Sequence, residues 1–397
     1  MRDNRKHVFI IGSKGIPASY GGFETFVDRL TYYKQSEDIV YHVACLSDTK
    51  GRFLCHGADC FRVKVPNIGA VKAIWYDVAA FSESIRYVEE HPEITRPIFY
   101  VLACRIGPFI GILWKKIIKM GGTLYVNPDG LEWKRGKWSW PVRKYWKLSA
   151  KQMIKRADIL ICDSVSIEKY IRRAFAAYKP KTVYISYGSE TRKSSMPDDD
   201  PAFVTWLAEN GLTAGGYYLV VGRFVPENNY ETIIREFMAS GTKKKLAVIT
   251  TENERFMKKL ERKLHFGEDA RIVFTGSVYD TELLMKIREN AYAYIHGHEV
   301  GGTNPSLLES LGTTSVNMLC DVSFNREVGR DAAFYWTKDL GSLSTLINQV
   351  DALTAEEISI SGEAAKSRIR SAYSWERIAE QYEDLFHGNL RVSSRGY

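Results

Sequence analysis

The sequence predicts an α/β protein of two doubly wound domains facing a cleft, and three observations carry that prediction. Each half opens with a short apolar run, a loop rich in glycine or proline, and an amphipathic helix. Behind each opening, strand-like and helix-like segments alternate, the pattern of parallel sheets covered by helices on both faces. At 397 residues the chain exceeds what one hydrophobic core sustains, so two domains of roughly 200 residues are expected.

In the first half, HVFIIG (His7–Gly12) reads as a buried strand and Gly12–Gly22 as a loop. The helix that follows carries Phe23, Phe26, Val27 and Leu30 at i, i+3, i+4 and i+7. The run Ile98–Trp114, IFYVLACRIGPFIGILW, resembles a membrane span, but a crossing helix needs about 20 apolar residues. It also holds Arg105 in mid-run, with Gly107-Pro108 just behind. A buried strand, Ile98–Cys104, then a turn and a helix with Pro108 near its first position fits better. TLYVN, Thr123–Asn127, is the next strand.

The second half repeats the plan. YYLVVG (Tyr217–Gly222) is its strand, RFVPEN its loop, and Tyr230, Ile233, Ile234 and Phe237 its helical stripe. LAVIT, a charged helix, RIVFTG, a helix near Asp280–Asn290, and AYAYIHG follow in alternation. Between the halves, SETRKSSMPDDDP (Ser189–Pro201) has the composition of a linker. Its Asp198-Asp199-Asp200 is read as a solvated turn, not a metal-binding D-x-D. The last segment, SWERIAEQYEDLF, is an amphipathic helix with Trp375, Ile378, Tyr382 and Leu385 on one face. The predicted plan is therefore a first domain at 1–188, a linker at 189–201, a second domain at 202–372, and a C-terminal helix within 373–397 packing back on the first.

Composition narrows the class. With 45% apolar and 26% charged residues the chain is globular, neither disordered nor fibrous. The net charge of +8 is unevenly placed: residues 1–190 hold 31 Lys/Arg against 18 Asp/Glu, the remainder 24 against 29. The first half is thereby suited to an anionic partner. The six cysteines form no disulfide framework and no C-x-x-C pair, and the nearness of His42 and His56 to Cys45, Cys55 and Cys60 fits no known metal spacing. Free or buried thiols in a reducing compartment are expected. The N-terminal apolar stretch is too short for a signal peptide, and no export is expected.

The stretch HGHEVGGTNPSLLESLG, His296–Gly312, is the most informative. A strand ends at His296, a Gly301-Gly302-Thr303 turn follows, and Asn304-Pro305-Ser306 opens a helix with Asn304 or Thr303 as its cap. Bare backbone N–H groups there, closely approachable at the glycines, suit a diphosphate, and Glu309 one turn on suits a ribose hydroxyl. A plain strand-to-helix turn with an exposed glutamate is the alternative. Arg223, just past the second half's first strand, sits where ligands of parallel sheets bind and offers a guanidinium to a diphosphate; an ordinary surface arginine is the alternative. In the first half, Gly21-Gly22 allows close backbone approach, with Glu24 at the helix start. Asp129, in Asn127-Pro128-Asp129-Gly130 after the strand TLYVN, is either a carboxylate for an acceptor hydroxyl or an Asx turn. No G-x-x-x-x-G-K-[ST] or G-x-G-x-x-G motif is present.

GRFVPENNYE, VFTGSVYD and GGTNPSLLESL, in this order and spacing, resemble the donor-binding domain of GT-B glycosyltransferases of family 4. GSKGIPASYGGFETFVDRL and NPDGLEWKR resemble, more narrowly, bacterial family 4 rhamnosyltransferases acting on lipid-linked capsule and cell-wall precursors. The resemblance implies two Rossmann-like domains and a retaining transfer of L-rhamnose from dTDP-β-L-rhamnose to GlcNAc or glucose on undecaprenyl diphosphate. It places Glu309 at the nucleotide ribose, Thr303, Asn304 and Ser306 around the diphosphate, Ser277, Val278 and Tyr279 at the nucleobase, and Arg223 at the phosphate clamp. It implies neither a cofactor nor an obligatory metal. Two departures stand out. The first glutamate of the family's E-x7-E falls at Gly301, with Glu299 two residues early, and the clamp's lysine position is Asn229. A UDP-hexose transferase, a GT-B-shaped epimerase and a catalytically silent membrane-binding protein are the rival readings.

From Trp133 to Arg156 there are nine Lys/Arg, no Asp/Glu, four Trp and Tyr145. Aromatics interleaved with bases on an amphipathic helix suit an anionic membrane surface, and no nucleic-acid module accompanies them. Glu132, Lys134, Arg135, Trp138, Trp140, Arg143, Lys144, Lys147 and Lys151 are the candidate acceptor and membrane residues. A basic solvated helix whose tryptophans belong to the core is the alternative. The expected location is the cytoplasm, peripheral on the inner face of the plasma membrane, with a nucleotide sugar and a lipid-linked acceptor as partners and no nucleic acid.

Overall fold

A computed structural model describes residues 3–18, 21–134 and 138–392, apart from the side chain of Ala70. The chain divides into two compact units: the residues up to Tyr187 together with those from Trp375 onward, and Gly188–Ser374.

The first unit contains β1 (Lys6–Ile11), α1 (Gly22–Tyr32), β2 (Ile39–Leu46), β3 (Gly51–Cys55), β4 (Ala58–Val63), α2 (Lys72–Glu90), β5 (Ile98–Leu102), α3 (Gly107–Lys119), β6 (Thr123–Asn127), α4 (Trp140–Ile154), β7 (Ile159–Cys162), α5 (Val165–Ala174) and β8 (Thr182–Tyr184). The strand order is β3-β4-β2-β1-β5-β6-β7-β8. Every pairing is parallel except the β3–β4 hairpin at the edge. Val8 of β1 faces Tyr41 on one side and Ile98 on the other. Because helices cover such a sheet, the central strands are apolar throughout, and Val8–Ile11 and Ile98–Leu102 are all buried. Phe9, Val101, Leu124 and Val126 from the sheet meet Phe81 of α2, Ile110 and Ile117 of α3 and Met153 of α4 in one core. Burying each such side chain stabilises by about 1.5–3 kcal/mol.

The second unit contains α6 (Pro201–Glu209), β9 (Tyr217–Val221), α7 (Tyr230–Ala239), β10 (Lys245–Ile249), α8 (Glu254–Leu264), β11 (Ile272–Gly276), α9 (Thr281–Glu289), β12 (Ala293–His296), α10 (Pro305–Thr313), β13 (Asn317–Cys320), α11 (Ser323–Gly329), β14 (Phe334–Trp336), α12 (Ser342–Asp351) and α13 (Ala355–Ala372). Its order, β11-β10-β9-β12-β13-β14, is parallel throughout. Tyr230, Ile233, Ile234 and Phe237 all turn inward from α7. Helix starts follow local chemistry: Asp280 accepts from the Glu282 and Leu283 amides at α9, and Thr354 with Glu357 forms a capping box at α13.

Residues 189–201, read in the sequence as a linker, belong to the second unit and are tied to α9. The Glu282 carboxylate accepts from the Ser195 amide at 2.7 Å and from Arg192 Nη1 at 3.1 Å. Asp198 pairs with Lys286 at 2.6 Å, and Asp200 caps α6 through the Ala202 amide. The chain then returns to the first unit as α14 (Trp375–His387), burying Trp375, Ile378, Tyr382, Leu385 and Phe386. Tyr382 hydroxyl meets that of Tyr100 at 3.0 Å, and the Glu383 carboxylate accepts from the Gln35 and Ser36 amides. Among the described residues no helix is long and apolar enough to cross a membrane. The run Ile98–Trp114 is β5, a turn and the start of α3.

Candidate functional site

In a doubly wound sheet the ligand crevice lies beyond the carboxyl ends of the strands, where the strand order reverses. In the second unit that point is between β9 and β12, and the loops leaving both strands carry the predicted donor residues. They are cross-tied: Asn229 Nδ2 donates to the Gly297 carbonyl at 2.8 Å, and His298 Nδ1 lies 2.9 Å from Asn228 Oδ1. A Cβ at Gly297 would collide with the Asn228 carbonyl, so only glycine permits this approach. Asn229, at the position of the clamp's lysine, is buried in the left-handed region (φ 55), with its Nδ2 donating to this tie. Arg223 differs: it is exposed, and its guanidinium has no partner among the described residues.

Asn304 is the cap of α10, its Oδ1 accepting from the Ser306 amide at 2.9 Å; Thr303 is buried. The helix start is less bare than its sequence implies. Pro305 has no N–H, and the Leu307 and Leu308 amides both reach the Asn304 carbonyl. The amides of Gly301 (φ 130) and Gly302 are among those of this loop left without partners among the described residues. Ser306 Oγ lies 3.0 Å from Tyr294 hydroxyl and 3.3 Å from Arg288 Nη2. Arg288 Nη2 also pairs with Glu309 Oε2 at 2.6 Å, leaving Oε1 for a ligand hydroxyl. Glu299 pairs with Lys338 at 2.8 Å and is engaged elsewhere. Burial pushes His296 well below the usual imidazole range, so it is a neutral wall of this site. Ser277, Val278 and Tyr279 leave β11, two strands and thus about 10 Å from β9. Ser277 Oγ donates to the Thr250 carbonyl, Val278 packs on the sheet, and Tyr279 is exposed.

The first unit has its own reversal between β1 and β5. Gly21 (φ 128) precedes α1 and begins the turn into Gly22; a Cβ there would run into the Glu24 carboxylate, whose Oε1 accepts from the Lys14 amide at 2.8 Å. Glu24 thus closes the Gly12–Gly22 loop. Beyond β6 the Asx turn is present: Asn127 Oδ1 accepts from the Asp129 amide at 2.8 Å, and Asp129 Oδ1 from that of Gly130. Ala103, Asp129 and Leu131 all hold positive φ (69, 56 and 57), a cluster of backbone strain at adjoining strand ends. Amid them stands Arg105, cited in the sequence only as an argument against a membrane span. Its Nη1 donates to the Gly12 carbonyl at 2.9 Å and pairs with buried Asp77 at 3.0 Å. Burial raises the Asp77 carboxyl to about 6, with the Arg105 charge opposing it. The signal for Arg105 was the one used for Arg223, a guanidinium just past a parallel strand; Arg288, in the last turn of α9, gave none.

The basic face is mixed. Glu132 is buried and accepts from Trp138 Nε1 at 2.9 Å. Lys134 sits over the Tyr170 ring and Lys144 over that of Trp140, which is 67% exposed. Lys147 and Lys151 are exposed, Arg143 is half-buried, and Arg135 lies outside the described residues. Helix α4 buries Ser149, Ala150, Met153 and Ile154 against the core, so its aromatic, basic end is the solvent-facing part.

A family model described as a domain of unknown function, DUF1972, matches residues 5–190. No curated protein matches in sequence. Solved structures are similar over nearly the whole chain. Sucrose-phosphate synthase from Thermosynechococcus elongatus is 16% identical, with a TM-score of 0.76, covering 97% of this chain and 99% of its own. HepE from Anabaena, solved in complex with UDP, is 12% identical with a TM-score of 0.69 over 96% and 100%. A glycosyltransferase from Rickettsia africae is 11% identical with a TM-score of 0.71 over 98% and 100%. The chain has the GT-B fold, two α/β units each wound about a parallel sheet.

Proposed function

We propose that the chain is a retaining glycosyltransferase that takes its sugar from a nucleotide diphosphate donor, with L-rhamnose from dTDP-β-L-rhamnose as that donor. The acceptor is GlcNAc or glucose on undecaprenyl diphosphate, met at the inner face of the plasma membrane. The observation that carries the transferase reading is the reversal point of the second unit. Arg223, the amides of Gly301 and Gly302 and Glu309 Oε1, all without a partner among the described residues, stand there on cross-tied loops. Departure of a nucleotide diphosphate develops negative charge, and preorganised donors aimed at it lower the barrier without an added metal. Arg223 and the glycine amides take the diphosphate, Glu309 the ribose, and Ser277–Tyr279 the base. In the first unit, Asp129, Glu24 and Arg105 orient the acceptor; Asp129 is a positioning group for the attacking hydroxyl.

The rhamnosyl and lipid-linked parts rest on the resemblance of GSKGIPASYGGFETFVDRL and NPDGLEWKR and on the basic aromatic face of α4. A UDP-hexose donor is the second reading, favoured by the UDP bound to HepE. The test is incubation with dTDP-rhamnose, UDP-glucose or UDP-GlcNAc and a polyprenyl-diphosphate-linked GlcNAc or glucose. Rhamnosyl product is expected. Product from a UDP-sugar alone replaces the donor, and none from any donor overturns the transferase reading.

A further inference from the structure

We propose that Asp28, Cys55 and His56 form a binding site for a zinc-class divalent cation on the edge of the first unit. Their donor atoms, a carboxylate oxygen, the thiol sulfur and an imidazole nitrogen, all lie within 4.8 Å of one another. His56 Nε2 is 3.4 Å from Asp28 Oδ1. That is long for a charge-assisted hydrogen bond, which closes to about 2.7–2.9 Å. It does match the edge of a tetrahedral zinc site, where bonds of 2.0–2.3 Å set ligand atoms about 3.4–3.6 Å apart.

The backbone explains how neighbouring residues converge. In an extended strand Cys55 and His56 would point to opposite faces. Here His56 (φ 50) and Gly57 (φ 72) are both left-handed, the two-residue turn joining β3 to β4 with Cys55 paired to Ala58. The left-handed step swings the imidazole round to the side of the thiol. Tyr32 packs edge-on against that ring at 5.2 Å and fixes its plane. Cys55 is also the one of the six cysteines that is not buried, so it is the thiol an ion can reach.

Sulfur, nitrogen and a single carboxylate oxygen disfavour Mg2+ and Ca2+, which take oxygen shells, and favour Zn2+ or Co2+. Three protein ligands leave a fourth position for water. Asp28 Oδ1 is also 3.4 Å from the amide of Ala18, a residue of the Gly12–Gly22 loop. A bound ion would fasten α1, the edge hairpin and that loop together.

The test uses the full-length protein, stripped with chelator and kept reduced, titrated with Co2+ alone. One equivalent is expected to give a thiolate-to-cobalt charge-transfer band and the intense visible absorption of tetrahedral cobalt, both displaced by Zn2+. Cys55→Ser should abolish the charge-transfer band. Asp28→Asn and His56→Gln should each weaken Co2+ binding at least tenfold, with circular dichroism reporting an unchanged fold. The proposal is overturned if wild type gives no band at stoichiometric Co2+, or if the band survives Cys55→Ser. It is equally overturned if both other variants bind as wild type does, because the thiol then acts alone.

Discussion

Arg288 Nη2 lies 2.6 Å from Glu309 Oε2, and the two partners are unequally placed: the guanidinium is 6% exposed, the carboxylate 40%. Arg288 depends on Glu309 more than the reverse. Glu309→Ala would leave a buried positive charge facing Ser306 alone, at a cost of about 3 kcal/mol in urea unfolding. Loss of transfer in that variant therefore mixes fold with function. Glu309→Gln keeps an oxygen for Arg288 and should unfold within about 1 kcal/mol of wild type, yet raise the donor KM about tenfold by weakening the ribose contact. An unchanged KM in the glutamine variant removes Glu309 from the donor site.

Arg223 makes the cleaner case, since its guanidinium has no partner among the described residues. Arg223→Ala should leave the unfolding free energy within about 0.5 kcal/mol of wild type while lowering kcat about a hundredfold or more. Arg223→Lys should recover part of that loss. Wild-type turnover in the alanine variant would refute the clamp.

Arg192 holds the Glu282 carboxyl down to about 2, helped by the Ser195 amide and hydroxyl and opposed by partial burial. The folded value lies below the ordinary 4.5, so the carboxylate adds stability that is present above that value and fades as pH falls toward 2. After discounting for solvent, about 1–2 kcal/mol should separate wild type from Glu282→Gln at pH 7. That gap should narrow by about half between pH 5 and pH 3. Parallel urea titrations measure it, and a constant gap would show that Glu282 is not what ties residues 189–201 to α9.

Lys144 and Lys151 are exposed on α4, with Trp140 and Leu148 also open to solvent. Each lysine near an anionic surface contributes about 1 kcal/mol, so Lys144→Glu with Lys151→Glu should weaken binding to phosphatidylglycerol-containing vesicles roughly thirtyfold or more. Binding to neutral vesicles should change little. Equal co-sedimentation of both proteins on anionic vesicles would detach α4 from any membrane role.

Strands and helices were legible where periodicity was strong. HVFIIG, YYLVVG and the stripe Tyr230, Ile233, Ile234, Phe237 emerge as β1, β9 and the buried face of α7. The cap at Asn304 and the Asx turn at Asn127 follow from local rules and needed no tertiary information. What escaped was long-range. Residues 189–201 have a linker's composition, but Glu282 draws them onto α9 from nearly ninety positions away. The tie of the Asn229 amide to the Gly297 carbonyl joins loops 68 positions apart and has no local signal. Arg288 and Arg105 look like ordinary charges in the sequence because their partners, Glu309 and Asp77, are brought to them only by folding.

Helix α14 has a consequence for how the protein is made. Strand β1 is synthesised long before α14, yet the first unit's core is closed by Tyr382 against Tyr100 and by Glu383 on the amides of Gln35 and Ser36. The residues emerging first from the ribosome thus wait longest for their last contacts, while Gly188–Ser374 is already wholly translated. A nascent chain stalled before Trp375 would carry an unfinished front half behind a second unit with its full sequence.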